Sequence, residues 1–134
     1  MMVAIKSKAL LDNLKPNMSV LVTISEEIQC NGFYVFVLND VKDEFLVAGR
    51  MFAPAIGINE DPVTGNANGP LGAYLAYYKM VAYQGEVLKF RALQGEAMKR
   101  PGTIEVTVEM LHGLPNQVKI TGEAVVVFVT YIAL

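Results

Sequence analysis

From Pro70 to Met80 the apolar residues Leu71, Ala73, Tyr74, Leu75, Tyr77, Tyr78 and Met80 fall on most sides of a helix. A helix that is apolar all round has to be buried, so this segment predicts a central helix wrapped by sheet. Pro70 is expected in the first helical turn, where its missing N–H costs nothing. That places the predicted helix start near Asn66–Gly69, and Gln84-Gly85 ends the pattern.

The rest of the chain supplies the strands such a helix needs. Met2–Ile5 is a short β-branched and apolar run, and Phe33–Leu38 is apolar throughout. Asn39–Asp43 reads as a hairpin turn leading into a return strand over Glu44–Met51. Beyond the helix, strands are expected over Val87–Ala92, Ile104–Leu111, Val118–Thr121 and Ala124–Ile132. Leu93-Gln94-Gly95, Lys99–Gly102 and Gly113–Asn116 read as the turns between them. Ser7 caps a short helix carrying Leu10, Leu11 and Leu14, which Pro16 ends. Met18–Ile28 fits helix and strand equally well. The sum is about seven strands around one long helix in a single α+β domain spanning residues 1–134, with no repeat or linker.

A chain of 134 residues buries roughly two-thirds of its unfolded surface, enough for one core. Hydrophobic residues make up 53% and the mean hydropathy is +0.37. That is rich for a domain of this size: either the core is unusually full or some apolar surface meets a partner. The net charge of −2 with scattered Lys and Arg argues against nucleic acid. The longest apolar run, Ala124–Leu134, is shorter than the ~20 residues of a spanning helix. Met1–Lys6 has no signal-peptide pattern, and one Cys cannot close an internal disulfide. The expectation is a cytoplasmic chain with no membrane contact. One Cys and one His are too few for the usual metal-ligand sets, so no metal site is expected. His112 and Cys30 have no catalytic partners nearby in sequence and are read as structural residues, as are Tyr74, Tyr77 and Tyr78.

Chemistry concentrates in Asn59-Glu60-Asp61-Pro62-Val63-Thr64-Gly65-Asn66-Ala67-Asn68-Gly69. This run places two adjacent carboxylates just ahead of a helix N-terminus, whose first N–H groups are unpaired and attract anions. A small acid could rest its carboxylate on the N–H groups of Gly65, Asn66 and Ala67, with Asp61 facing the adjacent carbon as a proton carrier or orienting group. Residue types alone leave a plainer alternative open: Asp61 or Thr64 caps the helix and Gly65 makes the turn.

The run Arg50–Ala67, with its Glu60-Asp61-Pro62-Val63-Thr64-Gly65 core, resembles the signature of the phenazine-biosynthesis PhzF-like family. Further similarities follow in order at Gly69–Leu75, Gln94-Gly95, Met98 with Arg100-Pro101, Ile104–Val106, Val118–Gly122 and Ala124-Val125, and Asn31–Tyr34 also fits. The resemblance implies a diaminopimelate-epimerase-like fold: a curved, mostly antiparallel sheet or barrel wrapped around one central helix. It covers the C-terminal half of a family about twice as long. In the family, two similar halves face each other across an active-site cleft, and phenazine-pathway members isomerise dihydro-hydroxyanthranilate without cofactor or metal. A Glu of the N-terminal half moves the proton, and that half is absent here. Asp61 carries over as the catalytic residue, and Gly65 with the backbone of Asn66 carries over as an anion site; the expected substrate-binding set is Gly65, Asn66, Ala67 and Asn68. The family usually has Ser at the position of Asn66 and His at that of Asn68, and these departures argue against the phenazine substrate. The resemblance thus implies half of a cofactor-independent isomerase or epimerase for a small carboxylate. Its cleft would be completed by a second copy of this chain or by a separate N-terminal-half chain. The other readings are a non-catalytic, dimeric or partner-bound small-anion-binding module, or a truncated product.

Overall fold

The computed structural model describes residues 1–132. Its centre is a seven-stranded mixed sheet curved over one face of a long helix. The strands are β1 Met2–Ala4, β2 Phe33–Leu38, β3 Val47–Ala53, β4 Ile58–Asp61, β5 Val87–Gln94, β6 Gly102–Leu111 and β7 Leu114–Gly122. The helices are α1 Lys8–Asp12, α2 Met18–Glu27 and α3 Gly65–Tyr77. The sheet order is β1-β2-β3-β5-β6-β7, with β4 branching from β3. The β1–β2 and β3–β5 pairs are parallel and the others antiparallel. The sheet stays open rather than closing into a barrel, so β7 is an edge.

Strand periodicity sorts side chains into two cores. Tyr34 and Phe36 of β2 and Val47 of β3 face α3, together with Leu71, Leu75, Leu88, Phe90, Ile104, Val106 and Val108. The alternate residues Val37 and Ala48 pack on the opposite face with Leu11 of α1. This explains why β2 is apolar throughout: both of its faces are covered, so neither can be polar. Residue Gly72 lets α3 approach the sheet, because a Cβ there would stand 2.6 Å from Val106 Cγ1.

Local chemistry settles most element ends. The Ser7 side chain accepts from the Leu10 N–H and caps α1 as expected. Met18–Ile28 resolves as helix because the Asn17 side chain caps it, accepting from the Val20 N–H. Packing of α2 against the 3-10 turn Pro54–Ile56 holds it beside β4.

Several expectations change. The segment Ile58–Asp61 is a strand, not part of a loop, and replaces the strand expected at Ala124–Ile132, which pairs with nothing among the described residues. The turn expected at Gly113–Asn116 is tighter, and β7 begins at Leu114. Helix α3 begins at Gly65, which leaves Pro70 inside it rather than in the first turn. Pro70 cannot donate to the carbonyl of Asn66 four residues back. The exposed position of Asn66 lets that carbonyl meet solvent instead. Sheet also covers α3 on one side only. The opposite stripe, Pro70, Tyr74 and Tyr77, is exposed. No helix among the described residues is long and apolar enough to cross a membrane.

Candidate functional site

The acid segment starts as strand β4, and strand alternation sends its two carboxylates to opposite faces. Glu60 lies on the α1 side, where it receives Arg50 in a two-pronged pair, Nε to Oε1 at 2.8 Å and Nη2 to Oε2 at 2.9 Å. Arg50 also donates from Nη1 to the carbonyls of Leu11 and Leu14, each at 3.0 Å. Its guanidinium lies 5.0 Å over the Phe52 ring. The hydrogen bonds to Glu60 raise the Arg50 pKa further above its ordinary value. Glu60 is therefore a structural anchor.

Asp61 pairs with Met51 of β3 and lies on the other face, toward α3. The Thr64 hydroxyl donates to Asp61 Oδ2 at 2.5 Å. Thr64 is the residue before α3, yet its side chain caps nothing in the helix. The two residues expected to compete as caps instead hold each other, and no side chain caps the first turn of α3.

Below them runs a buried polar chain. Gln94 donates from Nε2 to the Asp61 carbonyl at 2.6 Å and to Thr64 Oγ1 at 3.0 Å. Its Oε1 accepts from the Thr64 N–H at 3.2 Å and from Asn68 Nδ2 at 3.3 Å. Asn68 Nδ2 also donates to the Thr64 carbonyl at 2.9 Å, and Asn68 Oδ1 accepts from the Tyr34 hydroxyl at 2.9 Å. Buried polar groups that are fully paired fix one geometry; here that geometry is the Asp61–Thr64 turn.

A groove of about 510 Å³ opens on this turn, lined by Asp61, Thr64, Asn66, Ala67, Met51 and Ile58 among others. The structure thus brings Asp61, Asn66 and Ala67 together. Gly65 lines the neighbouring groove, which it shares with Asn66, Gly69, Pro70, Val118 and Ile120. Asn68 lies beneath the groove, 0% exposed, with its polar atoms committed to Tyr34, Thr64 and Gln94. Sequence reasoning missed Tyr34 and Gln94 as parts of the site's frame. The available signals were the resemblances at Asn31–Tyr34 and Gln94-Gly95, and a buried Gln cannot be told from a turn Gln by its neighbours. Among the described residues no cluster of His, Cys, Asp and Glu could hold a metal ion.

Burial raises the Tyr34 phenol pKa well above its ordinary value. A group whose folded pKa is raised stabilises the fold fully below its unfolded pKa and loses that contribution as pH climbs toward the folded one. The Tyr34 contribution is therefore complete below pH about 10 and declines above it. The Tyr34→Phe variant is expected to lose about 1–3 kcal/mol, since Asn68 Oδ1 is left unpaired. Relative to that variant, the parent's advantage should shrink above pH about 10. Urea unfolding of both chains from pH 7 to 11 checks this, and a parallel decline would refute it.

The family profile described as phenazine biosynthesis-like protein matches residues 1–130. An uncharacterized isomerase of Clostridium acetobutylicum is 56% identical over 127 residues, covering 95% of this chain and 42% of that one. The trans-2,3-dihydro-3-hydroxyanthranilate isomerase of Pseudomonas aeruginosa is 34% identical over 73 residues, covering 54% of this chain and 25% of that one. Among solved structures, a PhzF-family phenazine biosynthesis protein of Bacillus anthracis matches with a TM-score of 0.71 at 25% identity. That match covers 92% of this chain and 45% of the other. A hydroxyproline epimerase of Agrobacterium vitis, at 12% identity and a TM-score of 0.52 over 67% of this chain and 24% of that one, shares the fold alone. The chain spans less than half the length of the curated relatives it matches. With the diaminopimelate-epimerase-like fold and the Asp61–Asn66 turn in place, the match over residues 1–130 shows that this chain belongs to the PhzF-type, phenazine biosynthesis-like protein family.

Proposed function

We propose that this domain corresponds to the C-terminal half of a PhzF-like enzyme and supplies one wall of a cofactor-independent isomerase or epimerase site. The substrate would be a small carboxylic acid. A second polypeptide, either another copy of this chain or a separate N-terminal-half chain, completes the cleft. One observation carries the reading: Asp61, oriented by Thr64, stands in the same groove as the uncapped first turn of α3. The substrate carboxylate rests against the N–H groups at Gly65 and Asn66, where the helix end favours negative charge, beside the Ala67 N–H, which donates to the Thr64 carbonyl at 3.4 Å. Asp61 then exchanges a proton with the neighbouring carbon. As the C–H bond breaks, its electron pair spreads into the adjacent unsaturated group, and a proton returned to another carbon or the other face completes the isomerisation. The returning acid comes from the opposite wall, because Glu60 is held on the far face by Arg50.

The test is solvent deuterium incorporation into candidate small carboxylates, followed by NMR, with the cleft completed. Asp61→Asn is expected to slow exchange at least about 100-fold, the lower range for a positioned acid or base. Unchanged exchange in that variant would remove Asp61 from the mechanism. The engagement of Glu60 also supports a second reading, in which a single groove carboxylate leaves an anion-binding module without turnover. Saturable carboxylate binding with no exchange in any assembly would select it.

A further inference from the structure

Helix α3 is apolar nearly all round, yet the sheet covers one side of it. The bare stripe Pro70, Tyr74 and Tyr77 borders the open edge β7, and the seam between them is apolar at both ends. Gly69 and Pro70 meet Val118 and Ile120 at one end, and Tyr74 and Tyr77 meet Leu114 and Pro115 at the other. Pro115 and a register shift beside Met110 blunt the Leu114 end of this edge, but over Val118–Gly122 Lys119 is the single charged side chain. Immediately after β7 the same chain carries Ala124–Ile132, which has strand composition and no charged residue. Val125, Val126, Val127, Phe128, Val129, Tyr131 and Ile132 of that tail are each 73–94% exposed.

The chain therefore holds both an uncovered seam and an unpaired segment of matching length and polarity. We infer that two copies exchange these tails, each Ala124–Ile132 segment adding as a strand to the β7 edge of the other copy and closing over its Tyr74–Tyr77 stripe. Two copies satisfy both requirements reciprocally, as a two-fold interface demands. The scale is sufficient. A specific interface buries about 1,200–2,000 Å², and the four tail aromatics of a dimer at about 150–250 Å² each supply about half of that. The inference deepens the reading that a second polypeptide completes the cleft, and names the surface through which another copy would join.

Sedimentation equilibrium over a micromolar concentration series tests it on the intact chain. The parent is expected to dimerise. Phe128→Asp in the tail and Tyr77→Glu on the stripe should each raise the dimer dissociation constant at least about 30-fold, as loss of a buried anchor does. Both side chains are exposed in the single chain, so circular dichroism should show each variant folded. A dimer that persists in both variants overturns tail exchange while keeping a second copy at the cleft. Weakening by Phe128→Asp alone overturns the docking surface. A parent that stays monomeric overturns the inference and leaves the isomerase reading to the exchange assay with a separate partner chain.

Discussion

Arg50→Ala is expected to lower unfolding free energy by about 3–5 kcal/mol, the range for removing one partner of a buried ion pair. The side chains of Arg50 and Glu60 are 10% and 14% exposed, so water cannot take over the vacated role. The Glu60 carboxylate and the Leu14 carbonyl lose their Arg50 donors, and the Leu11 carbonyl loses one but keeps the Leu14 N–H. Those carbonyls lie at the end of α1, where a cation is favoured and orphaned acceptors are costly. Arg50→Lys keeps the charge but cannot reproduce the fork, and should fall between parent and Ala. The double variant Arg50→Met with Glu60→Met should recover much of the loss, because neither charge is then left unpaired. Urea unfolding at one fixed chain concentration measures all four, since any dimer makes stability concentration-dependent. A loss below about 1 kcal/mol for Arg50→Ala would place the pair among ordinary surface ion pairs.

The same pair bears on the chemistry. Two adjacent carboxylates look interchangeable in the sequence, but a strand sends neighbours to opposite faces. Arg50 fixes Glu60 toward α1, and Thr64 and Gln94 fix Asp61 and its backbone toward α3. The division of labour is set by the pairing of β4 with β3, which turns one acid into an anchor and leaves the other in the groove.

How far this could be read beforehand varied with how local each cause is. Helix α3 was legible because its own residues are apolar on most sides, and the Asp61–Ala67 run because helix-start chemistry lies within a few positions. Family resemblance added the fold. Strand β4 was not legible: Asn59, Glu60 and Asp61 look like loop residues, and the partners that make them tolerable in a strand, Arg50 and Gln94, lie ten or more positions away. The Tyr34–Asn68–Gln94 chain joins residues 34 and 26 apart, with no local trace. Pro70 misled because a first-turn proline is the common case, while here α3 continues back to Gly65. Ala124–Ile132 has strand composition, yet composition does not choose a partner: among the described residues it pairs with nothing, although the β7 edge is open.

Gly95→Ala is expected to destabilise the fold by about 3–5 kcal/mol and to disturb the groove with it. Gly95 sits at φ +82, and a Cβ there would stand 2.2 Å from the Arg100 carbonyl oxygen and 2.8 Å from that of Pro62. Left-handed backbone alone costs an alanine roughly 1–2 kcal/mol, and neither obstacle is a side chain that can swing away. Relief requires the backbone at Arg100 or Pro62 to move. The first would strain the bond from the Arg100 N–H to the Gly95 carbonyl. The second would shift the residue directly after Asp61. Because Gln94 precedes Gly95 and holds the Asp61 carbonyl and Thr64, the displacement passes straight into the Asp61–Thr64 turn. The expected result is a lower urea midpoint together with weaker binding of small carboxylates at temperatures where the variant is still folded. Gly85→Ala serves as the control: its φ is +64 but its Cβ would meet nothing within 4 Å, so it should lose only the left-handed cost of roughly 1–2 kcal/mol and leave the groove unchanged. Equal losses in the two variants would mean that the Gly95 turn does not press on the acid segment.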